Sequence, residues 1–378
     1  MGDKKTLLTL RLAAWASLLL VLVNHLLQPK AFAATQVLFD YHDGLARRGL
    51  VGAVLNVLTL PEVSASQVTL ALVVITLAGT IALFSFLLVA LGGSRGGLLL
   101  VVVVLNSFAM ASFVGNVGYL DGLLVALTVL AIASDPAGAV GMGLRLGAVV
   151  LGVLIHENML AYFTVLMAFD LYMARRRVAA FAPVVVGLIV LGVLVWGAGR
   201  SPDEALAYGA YLQSKAGFVV DPQATIVAAR GIGANLSLMQ GMWGTTQMWA
   251  WLVLDGLPLL GLSAWLIWLN LRLLGDRAGR VERYLLILAV LAPLSLNAVA
   301  FDVVRFGVAS VIAGAFAACV VVMRCDGARA RLEGALTWPH AVLVLVLVSN
   351  MFTTQVNEAA GHMGQFPWVL LNHLNWHG

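Results

Sequence analysis

The chain has 378 residues, 61% of them hydrophobic and only 11% charged, with a formal net charge of +4. A soluble domain carries roughly 25% charged residues, so this composition excludes an ordinary soluble globular fold. The basic residues are scattered singly or in short clusters, which argues against nucleic acid as a partner, and the two cysteines, Cys319 and Cys325, lack metal-ligand spacing and read as packing residues.

The apolar residues come in long uncharged runs without the period-two alternation of strands, which predicts an all-α polytopic transmembrane bundle. Hydropathy places about eleven spans, near 8–28, 66–91, 97–115, 118–134, 139–155, 157–173, 179–198, 249–273, 284–300, 304–323 and 337–353. The first follows Lys4 and Lys5 and reads as a retained signal anchor. The glycines of Gly118–Gly122 and Gly143–Gly147 are expected to let neighbouring helices approach closely. A cytoplasmic N-terminus puts Arg175–Arg177 and the cluster Arg272, Arg277, Arg280 and Arg283 inside, and leaves Lys30, Arg47, Arg48, Arg200, Lys215, Arg230 and Arg305 outside. The positive-inside rule selects that orientation, in a bacterial cytoplasmic (inner) membrane.

Three outer segments are longer than turns. Residues 29–65 include the short apolar stretch Leu50–Leu60, followed by Pro61, which reads as an interfacial or re-entrant helix. Residues 199–248 form a long loop rich in Gly, Gln, Tyr and Trp, and the tail from about 354 carries Trp368 and Trp376 as interface anchors.

Ionisable residues at the membrane edge are costly and ask for a reason. Arg145 and Arg272, at inner ends, read as snorkelling side chains. The outer ends carry His25, Asp121, His156, Glu157, Asp255, Asp302 and Arg305, and the first outer loop adds Asp40, His42, Asp43, Arg47 and Arg48. Asp40 and Asp43 precede the short helix, where a carboxylate in a low-dielectric cleft suits a general base. Arg47 and Arg48 suit a phosphate, or alternatively lipid headgroups. Asp121 opens a span, where a helix N-terminus favours an anion with or without catalysis. His156 and Glu157 suit a proton relay or a divalent cation, the one cofactor considered, or form a simple polar turn. Asp302 and Arg305, three apart on a helix, pair with each other or bind phosphate. No P-loop, dinucleotide fingerprint or nucleophile elbow is present.

This order of features resembles the GT-C superfamily of membrane glycosyltransferases and, more loosely, bacterial polysaccharide polymerases. The resemblance lies in the layout of residues 1–248: a first span, the acidic loop Asp40–Asp43 before a short helix, Asp121 and His156–Glu157 on later outer turns, and the 199–248 loop after the seventh span. It implies a membrane glycosyltransferase with a polyprenyl-phosphate-linked sugar donor and a glycan or glycolipid acceptor of the cell envelope. Arg47, Arg48 and Arg305 would hold the donor phosphate. Asp43 or Asp40 would be the base, and Asp121, His156 and Glu157 would position acceptor, proton or metal. Residues 249–378 are expected to form a separate C-terminal helical module. The rival readings are a transporter or lipid flippase, and a non-catalytic subunit of an envelope assembly complex; membrane lipids are partners in every case.

Overall fold

The computed structural model describes residues 2–58, 62–197, 201–276, 278–300, 302–353 and 361–364. Pro61 and the tail tryptophans Trp368 and Trp376 lie outside the described residues. In chain order the helices are α1 (Gly2–His25), α2 (Ala31–Val37), α3 (Gly49–Leu58), α4 (Ala65–Leu91), α5 (Arg95–Leu105), α6 (Phe108–Gly115), α7 (Asp121–Ala133), α8 (Ala139–Ile155) and α9 (Val165–Met173). They continue with α10 (Ala182–Gly197), α11 (Pro202–Lys215), α12 (Pro222–Ala229), α13 (Ile232–Trp243), α14 (Thr246–Trp251), α15 (Leu257–Leu274), α16 (Arg280–Leu291), α17 (Val303–Arg324), α18 (Ala328–Ala335) and α19 (Trp338–Val348). A short antiparallel ribbon, β1 (Asn350–Thr353) with β2 (Gly361–Gly364), follows the last helix.

Among the described residues, six helical stretches are long and apolar enough to cross a membrane: Lys4–His25, Ala65–Leu91, Ala179–Gly197, Thr246–Leu274, Arg280–Ala298 and Val303–Arg324. Counting each bent pair as one span gives up to eight. The eleven spans expected from hydropathy are therefore not reached, and length is the reason. At 1.5 Å per residue α7 is only about 20 Å long, against a hydrocarbon core of about 30 Å. α8 and the stretch Leu160–Met173 are also short. The 97–115 run breaks at Asn106–Ser107 with a 52° bend between α5 and α6, and α18 meets α19 at 74°. At the first break the Asn106 side chain donates to Val102 O of its own helix (2.9 Å) and to Ser17 Oγ of α1 (2.7 Å), so the polar groups at the bend are satisfied inside the bundle.

The expected short helix after the first span is α3, and it is joined by α2. The segment expected as a 199–248 loop is instead mostly helical. α11 opens with a capping box, in which Ser201 Oγ accepts from the Glu204 N–H and Glu204 accepts from the Ser201 N–H, with Pro202 at the first turn. α12 opens on Asp221, whose side chain accepts from the Gln223 N–H, with Pro222 at the first turn.

α17 is the centre of the molecule. Its residues from Val303 to Val321 are buried, many of them small, and it packs against α4, α6, α9, α15 and α16. α17, which belongs to the stretch after residue 248, thus packs against α4, α6 and α9 from the stretch before it.

Glycine governs one close approach. A Cβ added at Gly79 of α4 would lie 2.5 Å from Gly122 Cα and O of α7, and one at Gly122 would lie 2.5 Å from Ile75 O, as expected for Gly122. Gly143 and Gly147 have nothing within 4 Å of an added Cβ, so that expected small-residue face packs against nothing in the described chain. Gly79→Val should destabilise the protein by about 1–3 kcal/mol through overpacking, whereas Gly143→Val should leave thermal melting in detergent unchanged. Equal melting of the two variants would refute this assignment.

Candidate functional site

Four separate stretches of chain converge at one end of the bundle. The first supplies Arg48, just before α3, whose backbone takes the left-handed conformation (φ 64°). The second supplies Tyr119 and Asp121, the latter opening α7 behind Leu120, which is also left-handed (φ 62°). Such backbone is strained for residues with a Cβ and is held only where surrounding contacts fix it. The third is His156 and Glu157, at the turn after α8. The fourth is Asp302 and Arg305, at the start of α17.

Arg305 organises this end. Its guanidinium donates from Nε to Asp121 Oδ2 (2.7 Å), and from Nη2 to Asp121 Oδ1 (2.8 Å), Tyr119 O (3.1 Å) and His156 Nε2 (2.9 Å). It also lies 4.5 Å from the centre of the Tyr119 ring, a cation–π contact. Beside a guanidinium, which only donates, His156 Nε2 must accept. Burial, reinforced by the positive charge of Arg48, holds this imidazole well below its usual pKa, so it is neutral. Its Nδ1 lies 3.4 Å from Glu157 Oε2. Glu157 in turn takes Arg48 bidentately, Nη2 to Oε1 at 2.6 Å and Nε to Oε2 at 3.1 Å. Burial alone would raise the Glu157 carboxyl, but the charge of Arg48 holds it well below the usual carboxylate range.

Asp302 differs from the other two acids. Asp121 and Glu157 each give both oxygens to one arginine. Asp302 caps α17 by accepting from the Arg305 backbone N–H (3.3 Å), and its second oxygen is 3.9 Å from Arg305 Nη1. Its side chain is 37% exposed, against 16% for Asp121. Desolvation by the protein packed around this end, only partly offset by Arg305, raises its carboxyl to about 6.

The first-loop acids separate. Asp40 is buried, and its Oδ2 accepts from Lys215 Nζ (2.8 Å), from the Tyr211 hydroxyl (2.8 Å) and from the Asn56 side-chain amide. Burial opposes its ionisation, yet these donors bring its carboxyl below its usual value. Tyr208 bonds both the backbone N–H and the carbonyl of Asp40. Asp40 is thus the clasp between α3 and α11, reinforced where Val63 pairs with Ala216. Asp43 is exposed, with His42 at 3.7 Å as its ion-pair partner, and does not join the Arg305 network. Arg47 donates to the Arg230 carbonyl, and its charge still reaches Glu157 and His156. His25 closes α1 and Asp255 sits in the π-helical turn Leu252–Gly256, both buried.

Of the candidates read from sequence, the structure therefore unites Asp121, His156, Glu157, Arg48 and Arg305. It also brings in Asp302, sets Asp40 and Asp43 apart, keeps Arg47 within electrostatic reach of Glu157 and His156, and adds Tyr119. Among the described residues, no group of three or more His, Cys, Asp or Glu side chains is arranged to hold a metal ion. The donor set does not fit a divalent cation, because His156 and Glu157 are engaged by Arg305 and Arg48.

A second ionic network occupies the opposite ends of the same helices. Arg145 of α8 does not snorkel: it is fully buried, donating to Asp170 Oδ2 of α9, to Ser134 Oγ (3.0 Å) and to Gly141 O (2.8 Å). Arg324, at the end of α17, donates to Asp170 Oδ1 (3.0 Å). Asp170 was not singled out from sequence. The signal was there: a lone carboxylate in the apolar run 159–173 needs a partner.

No family model, curated protein or solved structure matches this chain.

Proposed function

We propose that the chain is a multi-pass membrane glycosyltransferase, transferring a sugar from a polyprenyl-phosphate-linked donor to a glycan or glycolipid acceptor at the outer face of a bacterial cytoplasmic membrane. One observation carries the reading: acids and arginines from four distant stretches meet in one connected network at one end of the bundle. Along α17, Arg305 and Arg324 are separated by about 28 Å at 1.5 Å per residue, close to the thickness of a hydrocarbon core of about 30 Å. That spacing supports placing the two networks at the two membrane boundaries. A transporter site is expected nearer the midplane.

In this reading Arg48 and Arg305, already oriented by Glu157 and Asp121, hold the donor phosphate and stabilise the charge that develops as it leaves. The acceptor oxygen attacks the anomeric carbon, the carbon–phosphate-oxygen bond breaks, and the phosphate departs with the bonding electrons. The acceptor proton goes to Asp302, the acid with the least occupied carboxylate and a pKa tuned toward neutrality. Neutral His156 fixes Arg305 without adding a competing charge, and Asp40 holds α11 over the first loop.

Asp302→Asn is the direct test. Asparagine caps a helix as well as aspartate, so α17 keeps its start while the base is lost. Product formation, measured by mass spectrometry of glycans and glycolipids from cells and from membranes given a polyprenyl-phosphate sugar, should fall about 10²–10⁴-fold. In the unaltered protein the rate should decline as pH falls through about 6, where Asp302 takes up a proton, and hold above it. Asp43→Asn should leave product unchanged. Full activity in Asp302→Asn, or a rate indifferent to pH across that value, would remove Asp302 as the base. Unchanged glycans in cells lacking the protein would remove the transferase reading.

A further inference from the structure

At the end of the bundle opposite the candidate site, a cavity of about 390 Å³ opens between α15, α16 and α18. It is lined by Trp268, Leu271, Arg272, Gly275, Asp276, Arg283 and Arg331, three guanidiniums against one carboxylate. α15 ends at Gly275 in a positive-φ conformation (72°), with its last carbonyls beside this space. Two arginines fasten to them. Arg331 donates from Nε to Leu273 O (2.7 Å) and from Nη2 to Asp326 O (3.2 Å). Arg283 donates from Nη2 to Gly275 O (3.1 Å) and from Nε to Ala278 O (3.4 Å). The third, Arg272, lies with its guanidinium 5.3 Å from the centre of the Trp268 ring and makes no hydrogen bond among the described residues. No carboxylate comes within ion-pair distance of any of the three among the described residues, Asp276 included.

Main-chain carbonyls orient Arg283 and Arg331 but do not neutralise them, and a guanidinium carries five N–H donors of which these bonds use only some. Arg272 is held flat by an aromatic face with its donors unspent. The neighbourhood is that of a membrane boundary: Trp268, Tyr284 and Trp338 are all exposed, as aromatic residues at an interface are, and His340 packs edge-on against Trp268. Basic pockets between helices at such a boundary recognise phosphate headgroups. We propose that this cavity binds a phosphate group, carried either by an anionic membrane lipid or by a free phosphate ion, with Arg272, Arg283 and Arg331 as its ligands and Trp268 packing beside it. The proposal is independent of the sugar-transfer reading.

Arg272→Gln is the informative variant, because Arg272 supports no other part of the fold, and Arg272→Lys is its charge-preserving control. The full chain, stripped of lipid in detergent, would be returned to vesicles of phosphatidylcholine with or without phosphatidylglycerol. Lipid retained on re-extraction would then be counted by native mass spectrometry. A parallel arm follows thermal melting with inorganic phosphate or with chloride at matched ionic strength. Preferential retention of phosphatidylglycerol that falls several-fold in Arg272→Gln, and recovers in Arg272→Lys, supports the site with a lipid source. Stabilisation by inorganic phosphate that disappears in Arg272→Gln, without lipid enrichment, supports it with a free-ion source. If neither arm distinguishes Arg272→Gln from the unaltered protein, the proposal is overturned.

Discussion

Arg305→Lys should lower the proposed sugar transfer by about 10²–10³-fold while leaving the protein folded. The substitution keeps a positive charge beside Asp121, so that partly buried carboxylate is not stranded. It removes the planar fork, however. Arg305 binds both oxygens of Asp121 and reaches Tyr119 O and His156 Nε2 with one rigid group, and it stacks on the Tyr119 ring. A lysine ammonium is a single point charge on a flexible stem and cannot reproduce those contacts together. The loss should therefore appear in turnover on the proposed polyprenyl-phosphate-linked donor, with melting temperature and membrane yield close to normal. Arg305→Lys with normal turnover would mean that the guanidinium serves only to join helices.

The largest effect on stability is expected at the other end, from Arg145→Met. That change leaves Asp170, whose side chain is fully buried, with Arg324 alone and frees the acceptors at Ser134 and Gly141. Breaking a buried ion pair by removing one partner costs about 3–5 kcal/mol, chiefly through the charge left behind. Melting temperature and the fraction extracted as monodisperse protein should both fall sharply. The double variant Arg145→Met with Asp170→Asn should recover part of the loss, because it removes the stranded carboxylate, and the cycle measures the coupling directly. A snorkelling arginine would behave otherwise: its replacement by methionine would be nearly neutral, and additive with Asp170→Asn.

How much of this was legible in the chain follows from what each signal measures. Hydropathy reports apolar content, so the helical membrane-type architecture and the short α3 could be read directly. It is blind to bends and to where a helix stops, and so it counted α7, α8 and the broken α5–α6 run as ordinary crossings. The cost of charge near hydrocarbon pointed to Asp121, His156, Glu157, Arg48 and Arg305 as a group, and they meet. The same cost argument, applied to Arg145 as an inner-end residue, stopped too early. Its partner, Asp170, lies close to the basic run Arg175–Arg177 and passed as part of a membrane boundary. Asp40 and Asp43 could not be told apart from sequence, because an irregular turn sets which of two acids three positions apart faces inward. Asp302 was visible as an outer-edge acid that would pair with Arg305 or join it in binding phosphate; that its carboxylate remains less engaged than the others depends on Asp121 reaching Arg305 from the far side of the sequence.

The central position of α17 has a consequence for how the molecule is made. Residues 303–324 leave the ribosome after every helix that surrounds them except α18 and α19. Until they insert, Asp121 has no guanidinium to meet and Asp170 has only one of its two. Before then the earlier helices have only one another, through contacts such as α4 with α7 and α1 with α5. Cotranslational assembly would close in a late step, when one segment arrives with an arginine near each end and locks both rims together.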